Sequence, residues 1–203
     1  MLKLFGKASS INVRKVLWLC TELDQPLELK VLESGDPILH ALNPNAQVPV
    51  IQEGEVVLWE SNTICRYLAG RAGRCDLLPT EPEPRARVEQ WMDWQATDLN
   101  SAWRYVFMAR VRQHPDYKDE WSIARSEREW NSKMDILDRQ LRKTGAFVAG
   151  AQFSLADIVI ALSVHRWRLT PQDKRPVFPA VAAYSERLAD REGFQRYCAN
   201  GIP

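Results

Sequence analysis

Short apolar segments with two different spacings fill the first 75 residues of the chain. Residues 48–51 and 56–58 are compact apolar runs, residues 3–5 include the apolar pair Leu4 and Phe5, and residues 27–32 alternate apolar with polar positions, so all four segments predict strands. Helical spacing is found at two further sets of positions: Val13, Val16, Leu17 and Cys20, then Ile64, Cys65 and Leu68.

These segments follow one another as strand, helix, strand, loop, strand, strand, helix. A strand–helix–strand unit makes a parallel pair, and Gly54 lies in a tight turn that adds an antiparallel hairpin. Residues 1–78 are therefore predicted to form a small α/β domain around a mixed four-stranded sheet.

Prolines mark the end of this predicted domain. Pro79, Pro82 and Pro84 fall within six residues, so residues 79–85 are predicted to form an interdomain linker. No convincing strand pattern follows, and residues 86–203 are predicted to form an all-helical domain. It has a long helix from near residue 85, a second helix over residues 120–143, and a buried apolar helix opened by a capping box at residues 154–157.

Composition and charge exclude several classes of function. The net charge of +1 creates no general attraction for nucleic acid or an acidic membrane surface. The chain has no apolar stretch of membrane-spanning length and no recognisable signal peptide, so we expect a soluble, cytoplasmic protein. None of its four cysteines forms a CxxC pair, and its three histidines are far apart in the sequence. We therefore expect no metal site.

Four motifs, in this order and at these distances, resemble bacterial glutathione transferases over essentially the whole chain. They are SINVRKV at residues 10–16, NPNAQVPV at 43–50, LWESNTI at 58–64 and SLAD at 154–157. The resemblance, to theta-, beta- or nu-like members, implies a thioredoxin-like domain that binds glutathione and a helical domain that lines the electrophile site. It also implies a homodimer with glutathione as co-substrate and no bound cofactor.

The same resemblance implies that a side chain just after the first strand contacts the glutathione sulfur. Ser10 matches the family's serine position, with Ser9 as a rival, and Asn12 resembles an asparagine that some bacterial members use. A free thiol, with a pKa of about 8.5, is mostly protonated at neutral pH, and a hydroxyl donor at a helix N-terminus favours the thiolate. Ser10 and Asn12 also suit a plain helix N-cap.

Two further motifs supply candidate contacts to the glutathione backbone. In the family, the peptide bond equivalent to Val48-Pro49 is cis and the valine backbone pairs with the cysteinyl residue; an edge strand that tolerates a proline is the alternative. Glu60 is a candidate partner for the γ-glutamyl ammonium. Ser61, expected as a helix N-cap, is a candidate for the γ-glutamyl carboxylate, with plain capping as the alternative.

The remaining candidates are less specific. Gln47 and His40 are candidates for the glycyl end of glutathione, although His40 also suits a plain surface position. Trp103 and Arg104 on the predicted long helix are candidates for the second-substrate pocket. Trp103 could instead belong to the core. Arg104 could meet an anionic electrophile, such as a halogenated acid, or be a solvated surface charge.

The leading function is attack of the glutathione thiolate on a small electrophile, halogenated compounds included. Glutathione-dependent reduction of disulfides or peroxides is an alternative. Maleylacetoacetate isomerisation is disfavoured because Ile11 and Asn12 follow the serine pair. A non-catalytic glutathione-binding protein is disfavoured because Glu60, Ser61 and the sulfur contact are all kept.

Overall fold

The computed structural model describes residues 1–32, 35–201 and 203, and its N-terminal domain is a four-stranded sheet with helices. The sheet has the order β2-β1-β3-β4, with β1 parallel to β2 and antiparallel to β3, and β3 antiparallel to β4. These elements are β1 (Leu2–Phe5), α1 (Ile11–Glu22), β2 (Leu27–Lys30), α2 (Pro37–Leu42), β3 (Val50–Glu53), β4 (Val56–Trp59) and α3 (Ser61–Arg71). The predicted mixed sheet and hairpin are therefore confirmed.

Two local features differ from the sequence-based expectation in this domain. Helix α2 occupies a segment that was expected to be a loop. Asp36 caps it by accepting a hydrogen bond from the Ile38 N–H at 2.9 Å, and Pro37 stands in its first turn, where a missing N–H costs nothing. Strand β3 begins at Val50, two residues later than predicted.

The C-terminal domain is helical as predicted, but its first helix starts inside the expected linker. Its helices are α4 (Pro82–Trp94), α5 (Asn100–Arg110), α6 (Glu120–Thr144), α7 (Leu155–Leu169), α8 (Pro179–Leu188) and α9 (Glu192–Tyr197). Helix α4 includes Pro82 and Pro84 because the N–H groups of a first helical turn have no intrahelical acceptor, so prolines remove no bond there. Only residues 79–81 of the expected linker are non-helical.

The predicted long helix is interrupted by a π-helical turn, Gln95–Leu99, between α4 and α5. The capping box that opens α7 is present as predicted. The Asp157 carboxylate accepts hydrogen bonds from the N–H of Ser154 at 2.8 Å and from that of Val148 at 2.9 Å. Helix α7 is buried along almost its whole length, as its apolar sequence indicates.

One continuous hydrophobic core joins the two domains. Trp18 of α1 stacks on Phe153 with 6.2 Å between ring centroids and meets Phe194 edge-on at 5.9 Å. Within the described part of the chain, no helix is long and apolar enough to cross a membrane.

The strand register brings three separate chain segments to one edge of the sheet. Phe5 at the end of β1 lies opposite Val50 at the start of β3, and Val50 lies opposite Trp59 at the end of β4. The residues after β1, before β3 and after β4 are therefore neighbours at this edge.

Gly6 permits the close approach at this edge. Its φ is +146°, and a Cβ there would lie 2.5 Å from Val13 Cγ2 and 3.2 Å from Val48 Cβ. The turn after β1 thus requires a residue without a side chain.

Candidate active site

A cavity of about 710 Å³ lies between the edge of the sheet and the helical domain. This volume is within the range of small-molecule sites. The N-terminal domain contributes Lys7, Ser10, Ile11, Asn12, Gln47 and Val48 to its lining. The helical domain contributes Ala96, Asn100, Ser101, Trp103, Arg104, Phe107, Met108, Arg112 and Arg166. We refer to it as the interdomain cavity.

Six of the residues predicted for the site line this cavity together: Ser10, Asn12, Gln47, Val48, Trp103 and Arg104. Pro49 follows Val48 and is buried, but it is not part of the lining. Glu60, Ser61 and the rival Ser9 also lie outside the lining. His40 is exposed on α2 and lies outside it too.

Ser10 is the N-cap residue of α1, but its hydroxyl does not cap the helix. Its backbone has φ −78° and ψ 125°, and its side chain makes no capping hydrogen bond. Asn12 is the second residue of the helix and is half-buried. Because Ser10, Ile11 and Asn12 all line the cavity, the positive end of the α1 dipole lies at its wall.

The loop before β3 is shaped by the buried side chain of Asn43. Its amide nitrogen donates to the carbonyl of Gln47 at 2.9 Å, and its amide oxygen accepts from the N–H of Asn45 at 3.0 Å. The Val48–Pro49 peptide bond that follows is cis, as the resemblance implies. The turn signal at residues 43–45 therefore marks the segment that presents Gln47 and Val48 to the cavity.

The turn from β4 into α3 corrects one expectation. Ser61 was expected to be the N-cap, but Glu60 holds that position and Ser61 is the first helical residue. Glu60 has a positive φ, with φ 69° and ψ 109°, and the helix begins directly after it, one residue earlier than expected. A non-glycine residue in this region costs about 1–3 kcal/mol, and such strain is concentrated at functional sites.

The carboxylate of Glu60 plays no part in capping the helix. It makes no capping hydrogen bond, and the residue is exposed. Ser61 is buried, 6% exposed, directly behind it. The turn therefore presents an exposed carboxylate beside the N-terminus of α3.

A buried amine behind this turn was missed by the sequence analysis. Lys15 of α1 is 1% exposed, and its Nζ donates to Gln95 Oε1 at 2.7 Å, Asn62 Oδ1 at 3.1 Å and Ser61 Oγ at 3.4 Å. Burial lowers the pKa of Lys15 to about 8. No signal in the sequence pointed to it, because Lys15 lies on the side of α1 opposite the apolar stripe that predicted this helix, where a solvated cation is the ordinary expectation.

The amine belongs to a hydrogen-bonded network that crosses between the domains. Asn62 donates to the carbonyl of Met92 at 2.8 Å, which ties α3 to α4. Gln95, in the π-helical turn, donates to Ser163 Oγ at 3.1 Å and to Asn100 Oδ1 at 2.9 Å. The turn at Glu60 and Ser61 is thus fixed from behind by polar contacts to the helical domain.

The helical wall of the cavity is cationic. Of the arginines that form it, the sequence analysis named only Arg104 as a candidate. Arg112 and Arg166 line it as well. The Arg166 guanidinium carbon lies 4.5 Å from the ring centroid of Trp103 and 4.2 Å from that of Phe107. Trp103 and Phe107 themselves meet edge-on at 5.3 Å.

These observations define the class of protein: a thioredoxin-like sheet domain joined to a helical domain, with a small-molecule cavity at a helix N-terminus between them. Residues 4–81 match the model of the glutathione S-transferase N-terminal domain, and residues 120–187 match that of the C-terminal domain.

Individual relatives agree with these models. Glutathione S-transferase GstB of Escherichia coli (strain K12) is 39% identical over 168 residues, which cover 79% of this chain and 80% of that protein. Glutathione S-transferase 3 of Zea mays is 31% identical over 209 residues, covering 98% and 93%. The crystal structure of the theta class enzyme from Xanthomonas axonopodis pv. citri with glutathione bound superimposes with a TM-score of 0.90 at 30% identity, covering 100% of this chain and 99% of that one.

The chain therefore belongs to the glutathione S-transferase family. It is a glutathione transferase and uses glutathione as its co-substrate. The resemblance drawn from the four sequence motifs is confirmed.

Proposed function

We propose that Ser10 and Asn12 stabilise the thiolate of bound glutathione, which then attacks a small electrophile held against Trp103 and Arg104. The observation that carries this proposal is the Ser10 hydroxyl, which lines the cavity at the N-terminus of α1 without capping the helix. A hydroxyl donor and the helix dipole together would lower the thiol pKa from about 8.5 to about 7, or roughly 2 kcal/mol in favour of the thiolate.

The reaction is a nucleophilic displacement or addition. When the electrophilic carbon carries a halide, the thiolate forms a carbon–sulfur bond and the halide leaves with its electron pair. The thiol proton passes to solvent when the thiolate forms. The protein orients the two reactants and stabilises the sulfur anion, and no further group is needed.

The rest of glutathione is assigned to the neighbouring segments of the sheet edge. Val48 pairs with the cysteinyl backbone, with Pro49 fixing the loop, and the Glu60 carboxylate takes the γ-glutamyl ammonium. The γ-glutamyl carboxylate lies against Ser61 and the first N–H groups of α3. The register of Phe5 with Val50 and of Val50 with Trp59 supports this order of contacts along one molecule.

For the glycyl end we favour Gln47 over His40, because Gln47 lines the cavity and His40 does not. The division into a glutathione-binding domain at residues 1–78 and a helical domain at residues 86–203 is part of the proposal. So are a homodimeric assembly and a cytoplasmic location, which the family resemblance supports.

The test is the pKa of the glutathione thiol in the complex, measured by thiolate absorbance against pH. We expect a value well below that of free glutathione in the wild type and a return towards the free value in Ser10→Ala. Ser9→Ala is the matched control, since it removes the same hydroxyl one residue outside the cavity lining, and it should keep the lowered value.

Other outcomes contradict parts of the proposal. An ordinary thiol pKa in the wild type, with no turnover of 1-chloro-2,4-dinitrobenzene, indicates a protein that binds glutathione without activating it. Turnover of a disulfide or a peroxide in the absence of conjugation favours the reductase alternative. A low pKa that survives Ser10→Ala assigns the sulfur contact to Asn12 and the helix dipole.

A further inference from the structure

The helical wall of the interdomain cavity carries several positive charges and no negative one. Arg104, Arg112 and Arg166 line this wall, and Lys7 lines the opposite side. No aspartate or glutamate is found among the described lining residues. A neutral electrophile would gain nothing from such an arrangement, whereas an anionic one would gain in both affinity and orientation.

Arg166 is the most deeply placed of these cations. It is 4% exposed on α7, and its guanidinium lies against the rings of Trp103 and Phe107. Its Nε is buried and donates no hydrogen bond to any described residue, and a terminal nitrogen reaches the main-chain oxygen of Pro203 only at 3.5 Å. The two aromatic rings thus fix the orientation of a guanidinium that keeps unused donor capacity.

Among the described residues, the charges that shift the pKa of Arg166 are also positive. Burial and, in the same direction, repulsion from Arg14 and Arg112 together lower the pKa of Arg166 to about 9. The guanidinium stays charged at neutral pH, so the protein bears the cost of a buried cation next to other cations. An anion bound in the cavity would offset that cost.

The apolar part of the same wall indicates what the anion is attached to. Trp103, Phe107, Met108 and Ile11 contribute apolar surface to the lining. A carboxylate, or two of the oxygens of a sulfonate, can accept two parallel hydrogen bonds from a guanidinium, which fixes the direction of the anion as well as its position.

We propose that the electrophile of this enzyme is an anion, a carboxylate or sulfonate on an apolar body, whose charged group binds Arg112 and Arg166. The inference rests on the proposed function, since it takes the helical wall of the cavity to be the electrophile site. Arg104, exposed at the same wall, adds to the attraction at the entrance.

The experiment compares two electrophiles, one anionic and one neutral, that share the reacting centre. These are 4-chloro-3,5-dinitrobenzoate and its methyl ester, which share the ring and the chloride leaving group. For each compound, kcat/KM is divided by the rate constant of its uncatalysed reaction with glutathione, because the ester activates the ring more strongly than the carboxylate does. We expect the corrected value to favour the benzoate by at least tenfold and the preference to shrink as salt is added.

Arg112→Gln tests the assignment at an exposed position where folding is not at risk. It should lower the corrected value for the benzoate at least about fivefold more than it lowers that of the ester. Arg125→Gln is the matched control, because it removes the same charge from an exposed site on α6 outside the cavity, and it should leave both values unchanged.

Equal corrected values for the two compounds, or equal losses in Arg112→Gln and Arg125→Gln, would overturn the inference while the ester still reports a working transferase. If neither compound reacts faster than in free solution and the bound thiol keeps its ordinary pKa, the proposed function fails and the inference fails with it.

Discussion

Replacing Lys15 by methionine tests whether a buried amine holds in position the turn at Glu60 and Ser61, which we propose to bind glutathione. Methionine has a similar length and an apolar stem, so packing around α1 is largely kept while the ammonium is removed. Three buried acceptors, on Ser61, Asn62 and Gln95, then lose the donor that reaches them at 3.4, 3.1 and 2.7 Å.

The magnitude follows from two opposing effects. A buried polar atom without a partner costs about 1–3 kcal/mol. The variant also gains stability, because no ammonium is buried in it. The cost of that burial in the wild type is visible in the pKa of Lys15, which is lowered to about 8. We expect a net loss of about 2 kcal/mol in the free energy of unfolding.

The effect on activity should fall on glutathione binding. Ser61 is assigned to the γ-glutamyl carboxylate, so a displaced turn should raise the KM for glutathione about tenfold, or about 1.4 kcal/mol. The chemistry occurs at the sulfur, so kcat at saturating glutathione should change by less than about twofold.

The assay varies glutathione at a fixed concentration of electrophile, with urea unfolding measured in parallel. Lys133→Met is the control, because it removes a lysine from a surface ion pair with Asp98, 2.8 Å long, on α6. It should change stability by less than about 1 kcal/mol and leave the KM unchanged. A normal KM in Lys15→Met would refute the positioning role, whatever the loss of stability.

The lowered pKa of Lys15 predicts that the stability of the protein depends on pH. This pKa is about 8 in the folded protein and takes the ordinary value of 10.5 in the unfolded chain. Between these values the unfolded state binds more protons, so this group makes stability rise with pH across that window. The free energy of unfolding of the wild type relative to Lys15→Met should therefore increase between pH 8 and pH 10.5, and a constant difference would contradict a buried, ionisable amine.

Two further substitutions test the sheet edge. Gly6→Ala places a Cβ 2.5 Å from Val13 Cγ2 at a φ of +146°, so we expect the free energy of unfolding in urea to fall by about 3 kcal/mol. Gly70→Ala in helix α3 is the control: outside the backbone of its own helix, its Cβ would have no neighbouring atom within 4 Å, so this variant should be neutral or stabilising. Glu60→Gln keeps the fold, since this side chain caps nothing, but should weaken glutathione binding about tenfold by calorimetry. Unchanged affinity in Glu60→Gln would remove that carboxylate from the glutathione site.

Most of the fold was predictable because the signals for it are local. The alternation in β2, the apolar face of α1, the hairpin turn at Gly54 and the capping box at Asp157 each depend on residues within a few positions of one another. Two departures concern whole elements: helix α2 replaces an expected loop, and a π-helical turn interrupts the predicted long helix. The others concern boundaries, since α4 includes Pro82 and Pro84 in its first turn and α3 begins at Ser61, one residue earlier than expected.

The contacts proposed for glutathione follow from sequence motifs, whereas the cationic helical wall of the cavity does not. The π-helical turn Gln95–Leu99 changes the phase between α4 and α5, so a single 3.6-residue periodicity cannot tell which side chains of α5 face the cavity. Arg112 and Arg166 reach the wall from different segments and belong to no sequence motif.

The sequence by itself determined the four strands, most of the helices, the order of the two domains, and the family to which the chain belongs. Only the tertiary structure decided that Lys15 lies behind Ser61 and that Arg166 is buried against Trp103 at the wall of the cavity. The reason is physical. Secondary structure follows from neighbours along the chain, but burial and Coulomb interactions depend on distances between residues that are remote in sequence.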